Sequence, residues 1–308
     1  MARFATRDDA LAAPDASSTP KPKPRHLHSR EDAAPPPARR DALRAWRLAG
    51  LALPVLLLGL VELAVRAGWL PDHLVPAPSE IFATLERMGL ARLMRHVGAS
   101  TLRVAAGFAA GAGLALAVGA GLALAVGAAM GLSRRIDALL EPSFQALRAI
   151  PSLAWVPVLL LWLGIDEAPK ITLITIGAFF PVHLAVVAGI RGVDPKLVQL
   201  GAVYRLGAFA LFRRILLPAA LPQIFTGLRT GLSLAWMFMV AAELIAATRG
   251  LGFLLSDGRE TGRPDLVFGA ILLLALLGKL SDGAMRRIER RWLGWRDAFD
   301  GTRRKEAA

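Results

Sequence analysis

Cysteine is absent from this sequence, which excludes disulfides, thiolate metal sites and cysteine nucleophiles. Also missing are a glycine-rich phosphate loop, an HExxH pair and a G-x-S-x-G elbow. If ATP drives this protein, another chain binds it. No cluster of catalytic residue types gathers near an apolar run, so no enzyme activity, cofactor or metal is expected. An apolar h-region near Met1 is lacking too, and the N-terminus does not read as a secretory signal peptide. Acidic residues are scarce: 24 Asp and Glu stand against 37 Lys and Arg, a net charge of +13. The excess sits in the tails and in alternate loops, where it sets membrane topology and suits an anionic inner leaflet.

Apolar residues are plentiful, 55% of 308, and they come in blocks. That pattern predicts an all-α integral membrane protein. Residues 1–43, rich in Pro, Ala and charge, read as a disordered cytoplasmic tail, in which His26 and His28 are solvated. Residues 44–95 hold a first span over about 48–65, flanked by Trp46 and Trp69, with Glu62 and Arg66 placed to pair four residues apart. An amphipathic helix is expected over about 80–90. A core then covers 96–284, and 285–308 form a basic Arg/Trp tail suited to an inner interface.

Within the core the second span is unusual, because GAGLALAV at 111–118 is repeated without change at 119–126. Its uncharged run, 104–132, is about 43 Å long as a helix against a core of roughly 30 Å, so it must tilt, break or protrude. Gly107 with Gly111 and Gly127 with Gly131 form GxxxG pairs. Further runs follow over about 144–163 (broken by Pro151 and Pro157), 171–190 (with Pro181 and His183), 223–247 and 266–283. Six crossings put both tails inside.

Between the fourth and fifth runs lies a polar, basic island, DPKLVQLGAVYRLGAFALFRRILLPAALP, at 194–222. Asp194 before Pro195 reads as an N-cap with proline at the first helical position, starting a helix that runs to about Leu206. Gly207 supplies the break. A second helix over about 208–216 is expected to stop before Pro218. Arg205, Arg213 and Arg214 hold this loop on the cytoplasmic side. A DNA-binding helix-turn-helix has a similar outline, but the adjoining spans leave a recognition helix no room to reach a groove. Nucleic acid is not an expected partner.

The series Gln199, Leu200, Gly201, Tyr204, Arg205, then Ile215, Leu217 and Pro218 resembles the EAA signature of permease subunits of ATP-binding-cassette importers. That signature runs Glu-Ala-Ala, three residues, Gly, nine residues, Ile-x-Leu-Pro. Two positions depart from it, with Gln199 in place of glutamate and Arg205 in place of glycine. Arg205 takes a positive φ less readily than glycine does, which leaves Gly207 to provide the turn. The order of Pro78-Ser79, a helix, His96, Ser100, Arg103 and Gly107-Phe108 also looks like the lead-in to this family's core. GLRTGLSLAWMFMVAAELIAATRGLGFLL and LLLALLGKLSDGAMRRIERRWLGW are most similar to the nitrate, taurine and sulfonate branch, and within it to aliphatic sulfonate permeases.

The resemblance implies an ABC type I importer permease fold and a homodimer in a bacterial inner membrane. It further implies a nucleotide-binding ATPase subunit inside and a periplasmic substrate-binding protein outside. The ATPase would grip a coupling loop comprising Gln199, Leu200, Gly201, Val203, Tyr204, Arg205, Leu206, Gly207, Ile215, Leu217 and Pro218. Taurine, nitrate or a pyrimidine precursor remains an alternative cargo. An ion-coupled secondary transporter is the alternative class, although it calls for inverted repeats and mid-membrane acids.

Arg229 and Glu243, charged residues inside the fifth run, are the candidates for a translocation path. Lying 14 residues apart, they fall within about 40° of one helical face. In one reading Arg229 attracts an anion near the inner exit while Glu243 shapes an outer gate. In the other, Arg229 reaches to the inner interface and Glu243 pairs with Arg249. His183 reads as a satisfied polar group between helices.

Overall fold

A computed structural model of the chain describes residues 38–128, 142, 145, 146 and 149–294. Regular structure among them is entirely helical. In order come α1 (Ala38–Arg66), α2 (Pro78–Met88), α3 (Leu90–Ala128), a 3-10 turn (Ser152–Trp155), α4 (Val156–Leu163) and α5 (Glu167–Arg191). Then follow α6 (Pro195–Val203), α7 (Ala208–Leu211), a π-helical turn (Phe212–Leu216), α8 (Leu217–Ala246), α9 (Leu251–Glu260) and α10 (Pro264–Trp292). Contacts divide the chain after Val55. In the first unit only the early part of α1 is described; everything below belongs to the second, Leu56–Ala308.

At the centre α5 packs between α3 and α8, and small residues decide how closely. A Cβ added at Gly111 of α3 would stand 2.6 Å from the Thr175 carbonyl oxygen, and one at Gly119 would stand 2.2 Å from Val186 Cγ1. Gly107 meets Ile174, and Ala115 between these positions is fully buried. The row 107, 111, 115, 119 therefore lies along α5. On its other side α5 meets Gly227 and Gly231 of α8 through Ala185 and Val182, while Phe238 covers Gly177. Lipid tails are as apolar as leucine, so backbone approach and dispersion hold such helices together.

Four helical stretches are long and apolar enough to cross a membrane: Leu90–Gly121, Glu167–Arg191, Ala208–Ile245 and Pro264–Trp292. Six crossings are not all visible among the described residues. The 48–65 stretch lies within α1, which starts earlier, at Ala38, inside the segment expected to be a disordered tail. Residues 1–37, with His26 and His28, lie outside the described residues.

From Ile150 on, the third run is interrupted at its prolines. Pro151 caps the 3-10 turn and Pro157 occupies the first turn of α4, positions that need no backbone N–H. The apolar helical segment Ser152–Leu163 then ends at Gly164, φ 76°. It is only about 18 Å long, by the rise of an α-helix.

Through the duplicated octapeptide α3 does not break as far as Ala128. Its 39 residues make about 58 Å of helix, so the excess goes into tilt or protrusion. Gly111 and Gly119, the first residues of the two copies, both reach α5. Gly131 lies outside the described residues. At the other end of the chain α10 runs on past 285 to Trp292, through the start of the segment expected to be a tail.

Candidate functional site

Residues 194–218 of the island, its coupling-loop part, fold into an elbow joining α5 to α8. Asp194 accepts from Lys196 N at 2.8 Å, capping α6, with Pro195 at its first position. This helix stops at Val203, short of Leu206, by a specific device. Leu206 N donates to Gly201 O and Arg205 N to Ala202 O, the two crossed bonds of a Schellman motif, whose C′ residue is Arg205. Arg205 has φ 50°, the only positive φ of a non-glycine among the described residues. Gly207 does not provide the turn; at φ −65° it precedes α7. The strained residue thus falls at the signature's glycine position, and arginine fills it there.

Pro218 does not end a helix either. The π turn closes with Leu217 N donating to Phe212 O, five residues back, and runs directly into α8. The wider turn displaces the preceding carbonyls, among them Arg214 O, which the Pro218 ring would meet in α geometry. The expected stop is therefore a joint, and α8 begins at Leu217 rather than near 223.

Gly201 is buried where α6 crosses this joint; a Cβ there would stand 2.5 Å from Leu211 Cδ1 and 3.2 Å from Ile215 Cδ1. Leu206, Ile215 and Leu216 complete a small apolar core beneath the elbow. Its outer face is also apolar, since Val203 is 78% and Tyr204 72% exposed, with Leu200 and Phe209 beside them. Gln199 and Leu217 flank this knob and its joint.

A buried ionic node occupies the opposite end of α8. Arg103 of α3 makes a two-pronged bond to Glu167 of α5, both contacts at 2.6 Å. Its Nη1 also donates to Glu243 Oε1 at 2.6 Å and to Arg249 O at 2.7 Å. Lys170, buried one turn after Glu167, lies 3.6 Å from that carboxylate. Glu243 therefore pairs with Arg103, while Arg249 contributes its backbone carbonyl.

Three successive N–H groups at the start of α9 point into this node. Gly250 N donates to His96 Nδ1 at 3.1 Å, Leu251 N to Ser100 Oγ at 2.8 Å and Gly252 N to Glu243 Oε2 at 2.7 Å. A helix start has free N–H groups; here side chains from two other helices satisfy them. Gly250, φ 133°, admits no side chain, since a Cβ would stand 2.2 Å from Glu243 Oε2. Ser100 also donates to the Glu243 carboxylate.

Arg229 lies apart from Glu243. It bonds Asp282 of α10 at 2.9 Å and stands 3.5 Å from Glu289, while Arg286 holds Asp282 from the other side. His183 is buried in α5 and stacks on Phe179. Sequence reasoning gave His96, Ser100 and Arg103 no role and missed Glu167 altogether. A signal was present for the first three, because spacings of four and three put them on one face of a helix.

The chain's relatives fit this architecture. Residues 117–294, more than half the chain, match the family of binding-protein-dependent transport system inner membrane components. A permease protein of Escherichia coli (strain K12), SsuC, named for aliphatic sulfonates transport, is 41% identical over 262 residues, 83% of this chain and 96% of its own length. A protein of the same name from Bacillus subtilis (strain 168) is 37% identical over 253 residues, 82% of this chain and 89% of that one. The taurine transport system permease protein TauC of Escherichia coli (strain K12) is 38% identical over 207 residues, 67% of this chain and 72% of that one. An all-helical, multi-pass chain with these matches is a member of the binding-protein-dependent transport system inner membrane component family, a permease subunit of the ATP-binding-cassette importers.

Proposed function

We propose that this chain carries aliphatic sulfonates across the inner membrane by alternating access, driven by a separate nucleotide-binding subunit and supplied by a periplasmic binding protein. The chain itself hydrolyses nothing. Two copies form the membrane unit, each crossing six times, with both termini and the elbow in the cytoplasm. Arg205, Arg213 and Arg214 around the elbow favour that orientation.

The observation that carries the reading is the exposed apolar knob at Val203 and Tyr204, seated on a continuous joint into α8. A 30-residue helix transmits a push over about 45 Å. Closure of the ATPase subunits on the knob would thus reach Glu243, whose node ties α3, α5 and α8 together and forms the outer closure. Arg229, already neutralised by Asp282 and Glu289, is better read as a tie between α8 and α10 than as an attraction for substrate.

Because the chain has no cysteine, Tyr204→Cys creates a single labelling site. Cross-linking from it should capture the ATPase subunit; reaction only with lipid or water sinks the coupling role. For cargo, a strain lacking this chain should fail to grow on ethanesulfonate as sole sulfur source. Failure only on taurine, on nitrate as nitrogen source or on a pyrimidine precursor would reassign it. The ion-coupled alternative finds no support at Glu243, whose two oxygens already accept from Ser100, Arg103 and Gly252.

A further inference from the structure

Beside the buried node lies a polar cavity of about 590 Å³, walled by α2, the start of α3, α9 and the start of α10. The family description names a binding protein as a partner, and the orientation proposed above brings it to the end away from the elbow. We propose, resting on the orientation given above, that this cavity is the socket for a surface loop of that binding protein carrying both a basic and an acidic side chain.

Charge distribution argues for a protein loop and against a sulfonate. Arg87, Arg92 and Arg263 line the cavity, but so do Glu80, Asp257 and Asp265, and the sum is zero. Part of the set is already committed: Arg87 donates to Thr84 Oγ1 at 2.9 Å, Thr84 to Asp265 at 2.6 Å and Arg263 to Asp265 at 2.9 Å. That chain makes one stiff wall. Arg92, Glu80 and Asp257 make no side-chain hydrogen bond or ion pair among the described residues, and they come from α3, α2 and α9 respectively. With Arg263 offset by Asp265, Arg87 and Arg92 stand against Glu80 and Asp257, so the cavity offers a small anion no net attraction. They suit a partner that offers both signs, and such complementarity fixes register and speeds encounter.

Asp257 adds a mechanical consequence, because its helix is the one whose first three N–H groups are held by His96, Ser100 and Glu243. A partner that moves α9 also pulls on the far end of α8. The socket thus sits where engagement outside is felt by the helix that begins at the elbow.

The test uses the whole transporter, permease with its ATPase subunits in proteoliposomes, titrated with its liganded binding protein while ATP hydrolysis is followed. Asp257→Lys and Arg92→Glu should each raise the half-saturating binding-protein concentration about tenfold, in line with charge reversal at a docking pair. Raising the ionic strength should weaken the parent's docking in the same direction. Glu80→Lys, at an exposed position in the first turn of α2, is the variant whose failure cannot be blamed on folding; about threefold is expected from it. Half-saturation unchanged in all three variants overturns the socket and leaves the permease reading standing. So does Arg92-dependent binding of ethanesulfonate alone, without the binding protein, which would make the cavity a substrate site. A complex that hydrolyses no ATP even with its partners present overturns the permease reading, and the socket with it.

Discussion

Arg103 Nη1 stands 2.6 Å from Glu243 Oε1, and the two residues, from α3 and α8, are only 4% and 1% exposed. Burying two charges is expensive, and what offsets it here is completeness: the guanidinium also holds Glu167 and the Arg249 carbonyl, and the carboxylate also accepts from Ser100 and Gly252 N. Removing one partner leaves the other buried and uncompensated. Glu243→Ala should therefore lower the stability of the purified complex by about 3–5 kcal/mol, read as thermal unfolding. Replacing both residues by methionine should lose less than the two single changes added together. Glu243→Ala within about 1 kcal/mol of the parent, on that same scale, would mean the node is not a structural tie.

Ser100 allows a gentler probe of the same node. Its hydroxyl accepts from Leu251 N and donates to Glu243, so Ser100→Ala frees one N–H of α9 and removes one bond from the carboxylate. Loss of an N-cap costs about 1 kcal/mol. Hydrogen exchange should quicken at the start of α9, around Leu251, while the middle of α8 keeps its protection. Equal loosening of both helices would show that the cap is not local.

The fold was legible where one residue type carries one physical message. Asp194-Pro195 announced the start of α6, and apolar length announced the spans built on α3, α5, α8 and α10. The breaks at Pro151 and Pro157 were legible too, but Pro218 was misread, because a proline after a π turn marks a beginning, whereas the residue alone suggests a stop. The elbow's turn was assigned to Gly207 on propensity, yet the crossed hydrogen bonds place it at Arg205, and no local sequence rule favours an arginine at positive φ. Glu243 stood out as a charge in an apolar run. Its partners did not, since Arg103 is 140 positions away and Glu167 sits at a helix start that looks solvated.

Arg205 makes that misreading testable. A non-glycine residue in the left-handed region costs roughly 1 kcal/mol. Arg205→Gly relieves this and restores the glycine of the family signature, so thermal stability should rise by up to about that amount. Arg205→Val, branched at Cβ, should lower it and slow ATP-driven uptake. A destabilised Arg205→Gly protein would show that the guanidinium makes a contact worth more than the strain.

Close packing of α5 against α8 separates two otherwise similar glycines. A Cβ at Gly227 would stand 2.2 Å from Ala185 Cβ and 3.2 Å from Pro181 O, and neither atom can rotate away. A Cβ at Gly113 would meet nothing within 4 Å. Gly227→Ala should force the helices apart and cost about 1–3 kcal/mol, whereas Gly113→Ala should be neutral or stabilising by up to about 1 kcal/mol through helix propensity. Thermal unfolding in one detergent compares them directly, and equal effects would mean α5 and α8 do not meet along this face.

Arg229 decides between substrate attraction and structure at the α8–α10 contact. Its guanidinium faces Asp282 and Glu289, and Arg286 shares Asp282, so two arginines balance two carboxylates and no net positive charge is left to draw in an anion. The side chain is 36% exposed, so the pair contributes at most about 1 kcal/mol once solvent screening is allowed for. Arg229→Gln should therefore lower thermal stability slightly and leave the substrate concentration for half-maximal uptake within about twofold of the parent, less than the shift expected on losing a charged contact to substrate. A severalfold rise at normal protein levels would instead put Arg229 on the path of an anionic cargo, and the exposed edge of the guanidinium would be the part that meets it.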